Sequence, residues 1–254
     1  MTHPRHRPFP LPTTLLAAIL LSFALALPTR AADPGNIRLL IVTGGHSFET
    51  NRFFALFRAI PGVTFEAVAH PQPPVWWQPE RAATYDVIVL YDLWQEISAE
   101  TKADFVRCLK QGKGLVALHH SLASYQDWDE YAQIIGGKYY LQKWTRDGRE
   151  HPGSTFLHDV NWRVHVVDPA QPVTRGLADF AIHDETYGGF EVSPRVHALL
   201  TTDEHTSSPT VAWAHTYAGT RVAYLQLGHD HQAWDNPNYR RLLRQAIRWA
   251  AQRP

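Results

Sequence analysis

IRLLIVTGGHS, residues 37–47, is an apolar run that ends in two glycines, a histidine and a serine. An unbroken apolar run closed by turn residues is typical of a strand that is buried on both faces of a parallel sheet. The helical pattern of Phe48–Ile60 follows directly and stops at Pro61-Gly62. The stretch therefore predicts a strand, a tight turn and a helix, which is the unit from which α/β sheets are built.

Similar runs continue this alternation through the first half of the chain. The expected elements are strands at Val63–Ala69, Asp86–Tyr91 and Leu115–His119, and a helix that is capped by Ser98 and runs to Gln111. His70–Glu80 holds four prolines and is expected to be a loop. Strands that alternate with helices at this spacing predict an α/β fold. We expect a single domain with a central, mainly parallel sheet flanked by helices.

The second half of the chain is less regular and predicts antiparallel strands beside the parallel ones. The expected elements are a short helix at Asp129–Ile135 that ends at Gly136-Gly137, strands at Val164–Val167, Val196–Leu200 and Val211–Ala214, and a strand at Arg221–Gln226 after a turn at Ala218-Gly219. A closing helix has Asn236 as its cap and Pro237 at its first position. We interpret its four arginines as a solvated face rather than a binding patch; they are Arg240, Arg241, Arg244 and Arg248.

The amino terminus has the pattern of a secretory signal. Arg5 and Arg7 give a basic start, an apolar run follows at Leu15–Leu27, and small residues lead to Ala31. We therefore predict that residues 1–31 are a signal peptide, cleaved after Ala31 or one residue later, and that the protein is periplasmic or secreted. A retained anchor is the alternative, although the apolar run is short for a membrane-spanning helix.

The charge balance excludes some classes of partner. Three of the 24 basic residues lie in the predicted signal, which leaves 21 against 24 acidic residues and a net charge of −3 with neutral histidines. This balance predicts neither nucleic acid nor an anionic membrane surface as a partner, and no membrane span is expected after the signal. Cys108 is the only cysteine, and its helical surroundings indicate packing rather than a nucleophile.

Histidines are frequent, and thirteen of the fifteen lie beyond the predicted signal. Histidine titrates near neutral pH and is the commonest metal ligand. In parallel sheets, ligands bind outside the carboxyl ends of the strands. Those ends carry His46, Asp92, His119 and His120. Two separate strands thus bring histidine to the same edge of the sheet, and we predict the site at this edge.

The turn Gly44-Gly45-His46-Ser47 leads into a helix whose amino terminus could hold an anion or a polar oxygen. A plain strand-to-helix turn explains the same residues equally well. The third glycine of a dinucleotide-binding fingerprint is missing, so no nucleotide cofactor is expected.

His183-Asp184-Glu185-Thr186-Tyr187 places an imidazole, two carboxylates and a phenol in five residues. Such groups act as general acids or bases, or as metal ligands. A solvated acidic loop is the alternative. The tyrosine and the following Gly188-Gly189 favour a functional role. Glu185 is therefore a candidate catalytic residue, and Asp184 and Tyr187 are candidate substrate-binding residues.

Leu227-Gly228-His229-Asp230-His231 follows the last expected strand. On an extended chain, His229 and His231 would face the same side and could share one metal ion. Together with His119 they form the predicted ligand set for a divalent metal ion such as zinc, assembled from distant segments. Trp234 is either a platform for a sugar ring, and so a candidate substrate-binding residue, or part of the core.

Five stretches, in order, resemble the ThuA-like (trehalose utilisation) domain over residues 37–252. They are LLIVTGGHSFE (39–49), GKGLVALHHSLASY (112–125), HDETY (183–187), GTRVAYLQLGHDHQAW (219–234) and the closing NPNYRRLLRQAIRWAAQ. The resemblance implies a flavodoxin-like fold of the class I glutamine amidotransferase type, without the amidotransferase triad. The turn that carries the nucleophilic cysteine in amidotransferases has His119-His120 here, and Ser121 lacks a Gly-x-Ser-x-Gly elbow.

The resemblance also implies a role in carbohydrate use, particularly of oxidised (3-keto) glycosides handled with partner dehydrogenases. By position, His46, His119, Glu185 and His229 would line the family's pocket, and they are the candidate catalytic residues. Family members commonly have one histidine followed by small residues at this turn. His120 departs from that pattern and is a candidate substrate-binding residue.

We therefore expect an exported enzyme, a hydrolase or a lyase, that acts on a glycoside or 3-keto-glycoside and has no amidotransferase activity. One alternative is a non-catalytic sugar-binding or scaffold protein that relies on its tryptophans and tolerates changes of its histidines. The other is a protein with a structural divalent metal site, in which chelation lowers the melting temperature alone. The sequence leaves the exact substrate, the metal and the oligomeric state open.

Overall fold

A nine-stranded sheet lies at the centre of the computed structural model, which describes Met1 and residues 36–253. In chain order the strands are β1 (Ile37–Gly44), β2 (Val63–Ala69), β3 (Val87–Asp92), β4 (Gly114–Leu118), β5 (Gly137–Lys138), β6 (Trp144–Arg146), β7 (Arg149–His151), β8 (Thr155–Val166), β9 (Phe180–Gly188), β10 (Glu191–Val192), β11 (His197–Thr201), β12 (Thr210–Tyr217) and β13 (Thr220–Leu225). The helices are α1 (Thr50–Arg58), α2 (Pro79–Ala82), α3 (Ala99–Lys110), α4 (Asp129–Ile135), α5 (His231–Trp234) and α6 (Pro237–Ala250), with short 3₁₀ turns at Pro73–Trp77 and His119–Ala123. The predicted signal peptide, residues 1–31, lies outside the described residues, Met1 apart.

The strand order of the central sheet is β2-β1-β3-β4-β13-β12-β11-β8-β9. The first five strands in this order are parallel to their neighbours, and each later strand pairs antiparallel. The expected α/β domain with a mainly parallel central sheet is thus confirmed. The antiparallel part is larger than expected, because β8 and β9 extend it. None of the described helices has the length and apolarity needed to cross a membrane.

The sheet is covered on both faces, and β1 shows how. Its Leu39 and Ile41 pack in the core that α1 and α6 complete, whereas Leu40 and Val42 face the core that α3 and α4 complete. All four are at most 1% exposed, and each such burial stabilises the fold by about 1.5–3 kcal/mol. Because both faces are apolar, the strands of the parallel half carry their functional polar groups where they end.

The closing helix has the predicted signals. The side chain of Asn236 accepts hydrogen bonds from the backbone N–H groups of Asn238 (2.9 Å) and Tyr239 (3.4 Å), and Pro237 is the first helical residue. The apolar face of α6 is buried; it consists of Tyr239, Leu242, Leu243, Ala246, Ile247 and Ala250. Ser98 caps α3 in the same way. Local sequence signals therefore set the ends of both helices.

Two expectations for the second half of the chain are wrong. The strand expected at Val164–Val167 is the end of the twelve-residue β8, and the HDETY run at 183–187 lies in β9 rather than in a loop. The first five residues of β8 are exposed and pair with β9 alone, so they form no continuous apolar run. The polar residues of β9 have low strand propensity, and contacts with remote segments hold them in place.

Cys108 packs as predicted. It is buried in α3, with its sulfur 3.2 Å from the hydroxyl of Tyr85. Burial raises the pKa of the Cys108 thiol, which is the opposite of what a nucleophilic cysteine needs.

Candidate functional site

His119 occupies the turn directly after β4. Its φ is +50°, in the left-handed region that few residues other than glycine adopt, and its side chain is fully buried. Nδ1 of His119 lies 2.6 Å from the carbonyl oxygen of Gln226. Because a carbonyl can only accept, Nδ1 carries the proton and Nε2 presents a lone pair when the ring is neutral. The strained turn and this hydrogen bond fix the direction of Nε2.

Three side chains converge on Nε2 of His119. Oε2 of Glu185 and the hydroxyl of Tyr187 each lie 2.8 Å from it, and Nδ1 of His229 lies 3.1 Å from it. Oε2 of Glu185 is also 3.2 Å from Nδ1 of His229. Glu185 and Tyr187 face the same side of β9 because strand side chains alternate, and His229 follows β13. Three distant segments thus meet within hydrogen-bond distance, and we name His119, Glu185, Tyr187 and His229 the His119 cluster.

These contacts shift the protonation of the cluster. Burial alone would raise the pKa of Glu185, but hydrogen bonds from His119 and His229 bring it well below its usual range. Burial alone would lower the pKa of His229, but the hydrogen bond and the charge of Glu185 raise it. Burial raises the pKa of Tyr187, so its hydroxyl keeps its proton and donates. The cluster therefore combines a carboxylate, two imidazoles and a neutral phenol.

The donor set of the cluster fits a divalent metal ion. Nε2 of His119, Oε2 of Glu185 and Nδ1 of His229 are the atoms that could bind it. Zinc takes such ligands at about 2.0–2.2 Å in a tetrahedron, which places ligand atoms roughly 3.3 Å apart. The three separations here are 2.8, 3.1 and 3.2 Å. Two imidazoles and one carboxylate also suit iron or manganese, so the residues fit a cation without selecting one.

Asp184 holds the site together and does not face a substrate, contrary to the prediction. Its carboxylate accepts hydrogen bonds from the backbone N–H groups of Glu185 (2.9 Å), Gly228 (2.7 Å) and His229 (3.0 Å). Asp184 is buried, and burial raises its pKa against the opposing effects of His119 and these amide donors. It thereby fastens the turn that carries His229 to β9.

Two further imidazoles lie beside the cluster. His46 is exposed, and its ring centroid is 4.6 Å from that of His120 and 5.9 Å from that of His229. His120 is buried and donates through Nδ1 to the carbonyl of Asp92 at 3.0 Å, whereas its Nε2 has no hydrogen-bond partner among the described residues. Burial, and then the nearby His119, lowers the pKa of both imidazoles. Both are therefore neutral near pH 7 and can accept a proton or a hydrogen bond.

His231 and Trp234 do not join the cluster, so the predicted pairing of His229 with His231 and the sugar platform are wrong. Asp230 caps α5 and turns the chain, so it is not extended here. The imidazole of His231 instead lies 2.8 Å from Glu49 and is 40% exposed. Trp234 is 2% exposed, and its indole N–H donates to the carbonyl of Gly228 at 2.8 Å. It is a core residue whose hydrogen bond supports the His229 turn.

Sequence reasoning missed His158 and His70. Nδ1 of His158, on β8, is 3.1 Å from Oε1 of Glu185 and engages the second oxygen of that carboxylate. His70 directly follows β2, and its Nε2 lies 3.0 Å from Asp92 and 3.1 Å from the hydroxyl of Tyr125. The rule that strand ends carry the site, applied to the second strand, could have found His70. His158 lies in the half of β8 that carried no strand signal.

Solved structures share this fold. A ThuA-like protein from Parabacteroides merdae ATCC 43184 is 20% identical, with a TM-score of 0.70, over 85% of this chain and 90% of that chain. A ThuA-like protein from Bacteroides uniformis ATCC 8492 is 18% identical, with a TM-score of 0.63, over 88% and 95% of the two chains. A glutamine amidotransferase from Thermotoga maritima is 12% identical, with a TM-score of 0.51, over 85% and 99%. The amidotransferase-like fold is thus confirmed.

The family assignment comes from the sequence itself. No curated protein matches the chain. The sequence model of the ThuA family, described as trehalose utilisation, matches residues 38–250, which is nearly all of the described domain. The chain therefore belongs to the ThuA family.

Proposed function

We propose that the chain is an exported enzyme that acts on a carbohydrate, with a divalent cation bound by His119, Glu185 and His229. The observation that carries this proposal is the meeting of three donor atoms, 2.8 to 3.2 Å apart, from three segments. Burying such groups is costly unless they are paired or bind a metal. A sugar-binding scaffold has no need of a buried cluster of this kind, so we favour catalysis.

When bound, a divalent cation would polarise a carbonyl oxygen or lower the pKa of a bound water. The chain's own residues supply the remaining functions. The carbonyl of Gln226 holds His119 in one tautomer, and Tyr187 donates a hydrogen bond at the same point. His46 is neutral and exposed beside the cluster, so it is the candidate general base. General acid–base catalysis contributes about 10²–10⁴-fold in rate.

We propose a glycoside, and specifically a 3-keto-glycoside, as the substrate. The description of the family as trehalose utilisation supports a glycoside. A ketone at C3 suits this site because it acidifies the neighbouring C2–H bond, which a base can then break. The electron pair of that bond forms a C1–C2 double bond as the C1–O bond breaks, and the leaving oxygen takes up a proton. Addition of water to the product would complete a net hydrolysis, so lyase and hydrolase outcomes share this step.

Turnover of a 3-keto-glucoside and of the parent glucoside, measured with matched variants, tests this proposal. Wild type and His231→Ala are expected to convert the keto compound, because His231 is paired with Glu49 outside the cluster. Glu185→Gln removes the central carboxylate and should lose at least about 100-fold in rate. If folded Glu185→Gln is as active as wild type, the cluster is not the active site. Tight binding of sugar without turnover by wild type would favour the sugar-binding alternative.

Export is proposed from the pattern of residues 1–31 alone. Expression in a Gram-negative host should yield mature protein in the periplasmic fraction, with Ala32 at its amino terminus. Full-length protein in the membrane fraction would instead identify a retained anchor.

A further inference from the structure

A groove of about 530 Å³ collects arginines at the edge of the sheet opposite the His119 cluster. Its lining includes Pro61, just before β2, and Arg221, at the start of β13, so it lies at the amino ends of the parallel strands. The arginines that line it are Arg175, Arg221, Arg241, Arg244, Arg248 and Arg253. None of the described residues that line this groove is acidic. We name it the arginine groove.

Arginines elsewhere in the chain have carboxylate partners. The ion pair of Arg38 with Asp86 measures 2.8 Å, and Arg146 pairs with Glu191 through both of its terminal nitrogens. In the arginine groove, by contrast, the guanidinium groups of Arg175, Arg244 and Arg253 have no hydrogen bond or ion pair with any residue that the structure describes. All three side chains belong to exposed residues. Their charges are therefore available to a ligand.

The fold places two of the other arginines deliberately. Arg221 donates to the carbonyl of Trp249 at 3.0 Å, at the end of α6, where the helix dipole favours a positive charge. Arg241 donates to the side chain of Gln245 at 3.1 Å. A Cβ at Gly176 would lie 2.4 Å from a terminal nitrogen of Arg241. Glycine at 176 thus lets Arg241 lie close to the chain next to Arg175.

We propose that the arginine groove binds a ligand that carries phosphate groups. Neighbouring cations with no carboxylate between them repel one another, and a bound oxyanion removes that repulsion. The planar guanidinium fork binds phosphate oxygens with paired hydrogen bonds, which a lysine ammonium cannot do. The volume suits a small phosphorylated molecule or the headgroup of an anionic phospholipid. Because the groove and the His119 cluster lie at opposite edges of the sheet, this ligand is distinct from the substrate of the cluster.

This proposal corrects the interpretation of the closing helix as carrying only a solvated face. Arg175 and Arg221 come from other elements and complete the groove that the arginines of α6 begin. The overall charge of the chain is slightly negative after the predicted signal, and it gives no indication of this local excess. The site therefore depends on tertiary structure that the sequence pattern does not contain.

Calorimetric titration of the full protein with inorganic pyrophosphate is the first test. Wild type should bind pyrophosphate, and the affinity should fall as salt is added. Arg175→Gln/Arg244→Gln should bind at least about tenfold more weakly, because it loses two charged hydrogen-bond donors. The matched control is Arg149→Gln/Arg195→Gln, which removes two exposed arginines outside the groove and should bind like wild type. Arg175→Lys/Arg244→Lys should recover only part of the affinity, since it restores charge without the fork.

Sedimentation with vesicles separates the two sources of phosphate. Vesicles that contain phosphatidylglycerol are compared with vesicles of phosphatidylcholine alone. Groove-dependent binding of pyrophosphate supports a free phosphorylated ligand, and groove-dependent binding of the anionic vesicles supports a lipid headgroup. The proposal is overturned if wild type binds neither, or if the groove variant and the control variant bind equally well.

Discussion

The two halves of the central sheet supply the site in different ways. The parallel half is apolar on both faces and offers its imidazoles in the turns after its strands, as at His46, His119 and His229. The antiparallel half offers Glu185 and Tyr187 from within β9. Although β9 ends the strand order, Glu185 reaches His119. The site therefore forms only where the β8–β9 pair meets the turns of the parallel half, and changes that separate the two should affect it most.

Asp184→Ala should have the largest effect, because Asp184 ties β9 to the turn that carries His229. The change leaves three buried backbone N–H groups without their acceptor. We expect a loss of about 3–5 kcal/mol in the free energy of unfolding, measured by urea denaturation. Asp203→Ala is the control, since the side chain of Asp203 is 96% exposed, and it should change stability by less than about 0.5 kcal/mol. A loss below about 1 kcal/mol for Asp184→Ala would contradict this role.

Tyr187→Phe should have a smaller effect, confined to catalysis. The hydroxyl donates toward Nε2 of His119 but is not among the proposed cation ligands. We expect kcat to fall about tenfold, or about 1.4 kcal/mol in activation free energy, with the bound cation retained. Tyr217→Phe removes a surface hydroxyl that donates to Glu130 and should leave kcat unchanged. Loss of the cation from Tyr187→Phe would show that Tyr187 is itself a ligand.

The pH dependence of stability gives the smallest effect, at a histidine of the antiparallel half. Burial lowers the pKa of His215 on β12, whose Nε2 lies 2.9 Å from the carbonyl of Ile134. The unfolded chain then binds more protons than the folded one, so stability falls as pH drops below the ordinary histidine pKa of about 6.5. His215→Gln should lose less stability than wild type between pH 7.5 and pH 5.5, about one unit either side of that value, in urea denaturation. An equal loss in both proteins would assign the acid sensitivity to other groups.

The parallel half of the fold was predictable from the sequence because burial on both faces leaves a direct mark. The runs that form β1, β3 and β4 are unbroken and apolar, and the caps at Ser98 and Asn236 are local signals. The antiparallel half left no such mark. The first residues of β8 are exposed and pair on one side only, so neither an apolar run nor a strong alternation marks the strand.

The site was predictable where its residues follow strands and unpredictable where they depend on remote partners. His46, His119 and His229 follow strands of the parallel half. Glu185 was identified from its neighbours, but its burial depends on contacts with segments 44 or more positions away, which no local pattern records. The pairing of His229 with His231 was wrong because the cap at Asp230 bends a chain that was taken as extended.

The most direct test of the account is the metal content of the purified mature protein, measured by elemental analysis. Wild type and His231→Ala should each carry one divalent cation per chain, and His119→Ala/His229→Ala should carry none. This result would place the cation at the meeting point of the two halves of the sheet. An absence of cation from wild type, or its retention by the folded double variant, would contradict the proposed centre.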